Sequence, residues 1–259
     1  MVVISVEKKR TVQNNSITPI WKLTQLELCA DRIPSAPQEL LDQTSANLME
    51  RAYLDIKKRI QTCDYMPGTE LNEKKIFEDF PYGRTPTREA ILYLKRDGLI
   101  EVYPRKGMRI APITSKNLSD VFVLRRILER SVFVESRTLT SKDILIAHGR
   151  KLDANRDADF AIFEIDRQLH FDLLHELRNE QLNEVYAALL DKCYRAYTYL
   201  LHCNIFLGRL VYEKDKKLIR AILAEETGSI QEAIDDYGKT ISIRLLESLP
   251  NVAEQGSSK

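Results

Sequence analysis

Two sets of side chains in this sequence have types and spacing that could do chemistry. Asp166 and His170 stand four residues apart within a stretch of helical apolar period, about 159–177, so both emerge on one helix face. Ile162, Phe163 and Leu173 share roughly that face, which turns the pair inward. There a carboxylate and an imidazole can chelate one divalent ion, or simply hydrogen-bond to each other. Arg125 falls on the apolar stripe Leu118, Val121, Phe122, Leu128 and Val132, where an unpaired charge is costly. It either pairs with Glu129 one turn on, or points into a cavity and holds an anion, most naturally a carboxylate. The other set is Arg84, Thr85, Thr87 and Arg88. The Thr85-Pro86 step reads as a helix start, with the hydroxyl as cap and proline at the first helical position. Two guanidiniums and two hydroxyls then surround a helix end that already carries partial positive charge. That is an anion-facing tip of the kind that small helical domains insert into a DNA groove.

The elements that must carry these residues follow from periodicity and punctuation. A helix over about 45–62 places Met49, Tyr53, Ile56 and Ile60 on one face, and Met66-Pro67-Gly68 turns the chain. Asn72 caps a short helix over 73–79, and a third helix runs from Pro86 to Asp97, with Gly98 as its stop. Leu99–Tyr103 and Met108–Pro112, flanking the basic turn Pro104-Arg105-Lys106-Gly107, read as a hairpin. Three helices and a hairpin make a winged helix-turn-helix over 45–112. Beyond Pro112 no β-like alternation appears. Helices are expected from Thr114 or Ser115 to about 135, over 159–177, from about 182 to 206, over 212–225 and over 229–248. His175 is expected at the surface or in packing. The fold class is therefore mainly α, a winged head joined to an all-helical antiparallel bundle over 113–250, with a tail at 251–259. Residues 1–44 mix polar and short apolar runs and read as a loose extension, or an arm that pairs with a partner subunit or reaches DNA.

Bulk properties narrow the function classes. The chain has 259 residues, 44% hydrophobic and 30% charged, with only nine glycines, a helix-rich globular composition. No apolar run is long enough for a membrane span, and no secretory leader is recognised at the N-terminus. Cys29, Cys63, Cys193 and Cys203 are scattered without metal-type pairing, as reduced thiols of a cytoplasmic protein would be. The net charge is +1 overall, but +4 over residues 84–109 and −2 over 113–259. A basic module joined to a mildly acidic one suits a DNA reader attached to a sensor.

At this point the residues resemble a known family. Pro67-Gly68, Leu71, Glu73, the run Gly83-Arg84-Thr85-Pro86-Thr87-Arg88-Glu89-Ala90, Leu94, Asp97-Gly98-Leu99-Ile100 and Arg105-Lys106-Gly107 are similar to the N-terminal domain of the GntR family of bacterial transcription regulators. Two positions depart from the pattern: Gly83 stands where serine is usual, and Thr87 where a small aliphatic is usual. The resemblance implies that Lys74, Arg84, Thr85, Thr87 and Arg88 meet DNA, with Arg105, Lys106 and Gly107 at the wing tip. An arginine can grip guanine O6 and N7 together, which makes Arg84 or Arg88 the base reader. Lysines, hydroxyls and wing residues hold phosphates.

The helical half resembles the ligand-binding domain of the FadR-type (FCD) branch through Arg125-x-x-x-Glu129, Asp166-x-x-x-His170, Asn179 with Leu182, Leu218-x-x-Ala221-Ile222 and Ala233. Many members of that branch hold a metal between the Asp-x-x-x-His pair and two later histidines. Here the alignment puts Asp215 and Thr240 at those positions. Asp166, His170 and Asp215 would remain as an Asp₂His site for Zn²⁺, Mn²⁺ or Mg²⁺, with Thr240 a poor ligand. The alternative is a metal-free pocket in which Arg125 and other polar groups bind the effector.

The implied function is a homodimeric transcription regulator, by family expectation a repressor. It would bind a pseudo-palindromic operator on double-stranded DNA and respond to a small carboxylate effector. The alternative is a constitutive dimeric DNA-binding protein whose helical domain has no effector. A metal-assisted hydrolase built on Asp166 and His170 is a different class. No nucleophile motif, glycine-rich phosphate loop or strand-end constellation supports it, so no enzyme is expected.

Overall fold

The computed structural model describes residues 45–104 and 107–249, all of which fall in a single compact unit. The readings made for residues 1–44, for Arg105 and Lys106 at the wing tip, and for the tail 251–259 lie outside the described residues.

The head begins with α1 (Ser45–Gln61), whose Tyr53, Ile56 and Ile60 are buried at helical spacing. A two-residue strand β1 (Glu70–Leu71) precedes α2 (Glu73–Asp79), and the Asn72 side chain accepts from the Lys75 N–H as its cap. Helix α3 (Arg84–Arg96) packs on α1 through Ala90, Ile91 and Leu94. The Tyr53 hydroxyl donates to Asp97 Oδ2 at 2.7 Å and fixes the far end of α3 against α1. Strands β2 (Ile100–Tyr103) and β3 (Gly107–Ile110) pair antiparallel, and β1 joins the outer edge of β3 to give the order β1-β3-β2. This third strand is an addition to the expected hairpin; two residues are too few to show alternation. Its register, Leu71 against Met108 and Glu70 against Arg109, closes the sheet over Ile76, Ile100 and Ile110. A winged helix-turn-helix results.

From Thr114, whose hydroxyl accepts from the Asn117 N–H, α4 (Ser115–Ser136) opens the helical half. It continues with α5 (Lys142–Ala154), α6 (Asp159–His175), α7 (Glu180–His202), α8 (Gly208–Leu223) and α9 (Thr227–Ser248). Helix α5 is an addition to the expected helices: it buries only Leu145, His148, Gly149 and Leu152, a stripe broken by an imidazole and a glycine. The core lies where α4 meets α7 and α9 and where α6 meets α7 and α8, around Phe133, Phe163, Tyr186 and Tyr197. Among the described residues no helix is long and apolar enough to cross a membrane.

Head and bundle are joined by α1 packing on α7. Lys57 Nζ lies 2.7 Å from Asp191 Oδ2, and Arg167 Nη2 donates to Asp191 Oδ1 at 2.8 Å. Burial would raise the Asp191 carboxyl, but Lys57 and Arg167 hold it below the usual carboxylate range.

Candidate nucleic-acid interface and buried polar centre

The tip of α3 differs from expectation in its start and in the placement of Thr87. The helix starts two residues early, at Arg84, with Gly83 at the cap in a left-handed conformation (φ 88°) and no side-chain cap bond. Thr85 is therefore the second helical residue and does not cap. Pro86 still costs nothing, because the first-turn N–H groups have no intrahelical partner anywhere. The consequence is an open helix end whose leading N–H groups, on Arg84 and Thr85, are left for an outside acceptor.

Arg84, Thr85, Arg88 and Lys74 are all exposed. Thr87 is not: it is fully buried beneath the helix with its hydroxyl unpartnered, so as a candidate DNA contact it is corrected to a packing residue. Four-residue spacing decides this, because Thr87 lies on the same stripe as Ala90, Ile91 and Leu94. Arg88 forms a two-pronged ion pair with Glu73 of α2, Nη2 to Oε2 at 2.7 Å and Nε to Oε1 at 3.3 Å. Both partners are exposed, so the pair is readily exchanged for a phosphate or base edge. Gly107 opens β3 with φ 93°, and a Cβ there would come within 3.3 Å of the Leu71 carbonyl oxygen. Its contribution to the wing is thus backbone shape.

The second site sits inside the bundle. Arg125 on α4 is 1% exposed and donates through Nε to Glu129 Oε1 at 2.7 Å, the local pairing that the sequence allowed. Its Nη1 has no partner, and its guanidinium lies 5.6 Å from the Tyr237 ring centre. Burial would raise the Glu129 carboxyl, but Arg125 and His170 beside it hold it well below the carboxylate range. The Tyr186 hydroxyl donates to Glu129 Oε1 at 2.5 Å and lies 2.7 Å from His170 Nδ1. Nδ1 also lies 3.3 Å from Arg125 Nη2 and 3.3 Å from Glu129 Oε1. Nε2, on the other side of the ring, lies 3.5 Å from Asp166 Oδ1 and has no hydrogen-bond partner.

Asp215 of α8 completes this corner. It is fully buried, and neither carboxylate oxygen has a partner. Ligand atoms of Asp166, His170 and Asp215 all lie within 4.8 Å of one another. Burial, and then the neighbouring Asp166, push the Asp215 carboxyl well above its ordinary range. Two facing carboxylates, of which Asp215 receives no donor, call for a cation or an added proton. The donor set, two carboxylates and one imidazole nitrogen held by a second-shell bond on Nδ1, fits a divalent ion.

Thr240 stays outside, with its hydroxyl 3.5 Å from Asp236 Oδ1, while Tyr237, three residues earlier, donates to Asp166 Oδ1 at 3.0 Å. His175 is exposed at the end of α6. Tyr186 of α7 and Tyr237 of α9, both buried, are thus polar members of the cluster. A tyrosine on a stripe that also faces an Arg or Asp is the signal that could have found them.

Residues 48–110 match the family described as bacterial regulatory proteins, gntR family. The winged head is therefore a domain of the gntR type. The HTH-type transcriptional repressor RspR of Escherichia coli K12 is 22% identical over 219 residues, covering 80% of this chain and 91% of that protein. The regulator YdhC of Bacillus subtilis is 26% identical over 139 residues, but the match spans only 51% of this chain and 62% of YdhC. Among solved structures, E. coli McbR/YncC superimposes with a TM-score of 0.67 at 19% identity, over 77% of this chain and 97% of that one, a likeness of fold. GntR-family regulators bind DNA, and these relatives are transcription regulators rather than enzymes.

Proposed function

We propose that this chain is a GntR-family regulator of the FCD branch and a cytoplasmic homodimer. Its winged head, residues 45–112, binds a pseudo-palindromic operator, and its helical domain, 113–250, controls that affinity through a small carboxylate effector. Repression is the expected sense. Arg84 or Arg88 reads a guanine, while Thr85, Lys74 and the wing, with Arg105, Lys106 and Gly107, hold phosphates. In the bundle Asp166, His170 and Asp215 would hold one divalent ion, Zn²⁺, Mn²⁺ or Mg²⁺, which when bound supplies a positive point for the effector's carboxylate. Arg125 contributes its unpartnered Nη1.

The observation that carries this reading is the unpartnered set in the bundle, both oxygens of Asp215 together with His170 Nε2 and Arg125 Nη1. Several unpartnered polar atoms gathered in one part of the core are costly, at about 1–3 kcal/mol each. Regulation also requires that the effector prefer one orientation of the heads, because tight binding to both shifts nothing. The Arg125–Glu129 pair favours a second reading, a constitutive DNA-binding dimer, because it already neutralises the charge an effector would need.

Metal content decides between them. Protein purified without chelator or affinity-tag metal should carry close to one ion per chain, and an Asp166→Ala/His170→Ala variant none. Equal content in both, or no metal with operator affinity indifferent to a panel of carboxylates, would leave the constitutive reading.

A further inference from the structure

A second place in the molecule lacks a counterion. Arg195 of α7 is 5% exposed, and its Nη2 donates to the carbonyl oxygen of Ala111 just beyond β3. Its Nε has no partner, and among the described residues no carboxylate pairs with it. Asp191, one turn earlier on α7, is already taken by Lys57 and Arg167. The Cys63 sulfur faces Arg195 through its main-chain carbonyl, at 3.8 Å, and burial holds that thiol neutral. Burial also lowers the Arg195 guanidinium to about 10, a cost that a buried arginine ordinarily recovers from an acid.

Arg195 lines a cavity of about 190 Å³ between the end of α3, the 111–114 linker, α4 and α7. One wall is apolar, from Leu99, Ile113 and Leu118, and Lys192 stands exposed at the rim. The N-terminus of α4 also opens here through Thr114 and Asn117, which adds partial positive charge. Cavities of about 150 Å³ accommodate a benzene ring. The space therefore exceeds what a bare inorganic ion needs, and its lining is half apolar.

We infer that this junction cavity binds a small organic monocarboxylate with a compact apolar body, its carboxylate on Arg195 and Lys192 and its body against Leu99, Ile113 and Leu118. The site is separate from the Asp166–His170–Asp215 centre and does not rest on that centre's role. Its walls come from the recognition helix's C-terminal end, from the linker and from the bundle. An occupant would therefore touch the side chain, Arg195, that ties the head to α7.

The test uses the full chain with benzoate as probe, benzyl alcohol as the neutral analogue and inorganic phosphate as the bare anion, followed by thermal unfolding and titration calorimetry. Benzoate should raise the unfolding temperature saturably, and the other two should not. Arg195→Gln should lose the response. Lys192→Glu, at an exposed position that does not threaten folding, should raise the half-saturating benzoate concentration about tenfold, the loss of one charge-assisted contact. Asp166→Ala/His170→Ala should keep the response, which separates this site from the bundle centre. The inference is overturned by no benzoate response, by an equal response to benzyl alcohol or to phosphate, by a response untouched in Lys192→Glu, or by its loss in the Asp166/His170 variant.

Discussion

The tip of α3 and the polar centre of the bundle both concentrate charge, yet they treat it in opposite ways. At the tip, Arg84, Arg88 and Lys74 stand in water, and the pair Arg88–Glu73 is exposed on both sides. In the bundle, Arg125, Glu129, Asp166, His170 and Asp215 are all buried, with Arg125, Glu129 and His170 in contact with one another and Asp215 without a partner. Exposed charge is inexpensive and free to meet a polyanion, and its contribution to stability is small. Buried charge is expensive, and each member depends on its neighbours. The head is built to exchange partners and the bundle to hold them.

The largest expected effect tests the bundle. Glu129→Ala strands Arg125 and should destabilise the fold by about 3–5 kcal/mol, read as a lower denaturation midpoint. The matching change at the tip, Glu73→Ala, should cost under about 1 kcal/mol. Comparable losses in the two variants would erase the contrast.

Next is the head's partner. Arg84→Ala and Arg88→Ala should each cost about 1–3 kcal/mol of operator discrimination, with the melting temperature unchanged. A gel shift of normal affinity from the double variant would remove the tip from the interface.

A smaller effect tests the seam between the two regions. The Asp191 carboxyl is depressed in the folded state by Lys57 and Arg167, so its contribution is present above the unfolded carboxylate pKa of about 3.9 and lost as pH falls below it. Wild-type stability should drop through that acid range. Asp191→Asn should start lower and fall less steeply there, and parallel curves for the two proteins would show that the Lys57–Asp191–Arg167 bridge contributes nothing.

The smallest effect concerns Thr87. Its buried hydroxyl lacks a partner, so Thr87→Val should leave DNA affinity unchanged and stabilise the head by up to about 1 kcal/mol, measured by urea unfolding. A weaker operator complex would return Thr87 to the interface.

Much of this architecture follows from sequence because its causes are local. The Asn72 and Thr114 caps, the apolar periods of α1, α3, α4 and α6, and the basic run flanking the wing turn all depend on neighbours within a turn or two. Asp166 and His170 face inward for the same reason, and Arg125 lies within reach of Glu129 because four residues make one turn. What sequence spacing leaves undecided is everything that depends on which helices meet. The start of α3 at Arg84 rather than Pro86 depends on Gly83 adopting a left-handed turn after Tyr82. The two-residue β1 exists only because β3 lies alongside to receive it. Tyr186 and Tyr237 enter the polar centre because α7 and α9 bring their hydroxyls to α4 and α6. Arg195 is left without an acid because packing delivered Lys57 and Arg167 to Asp191 first. Helical period fixes the direction of a side chain on its own element, whereas the partner it finds is set by contacts between segments far apart in the chain, and those only the folded arrangement decides.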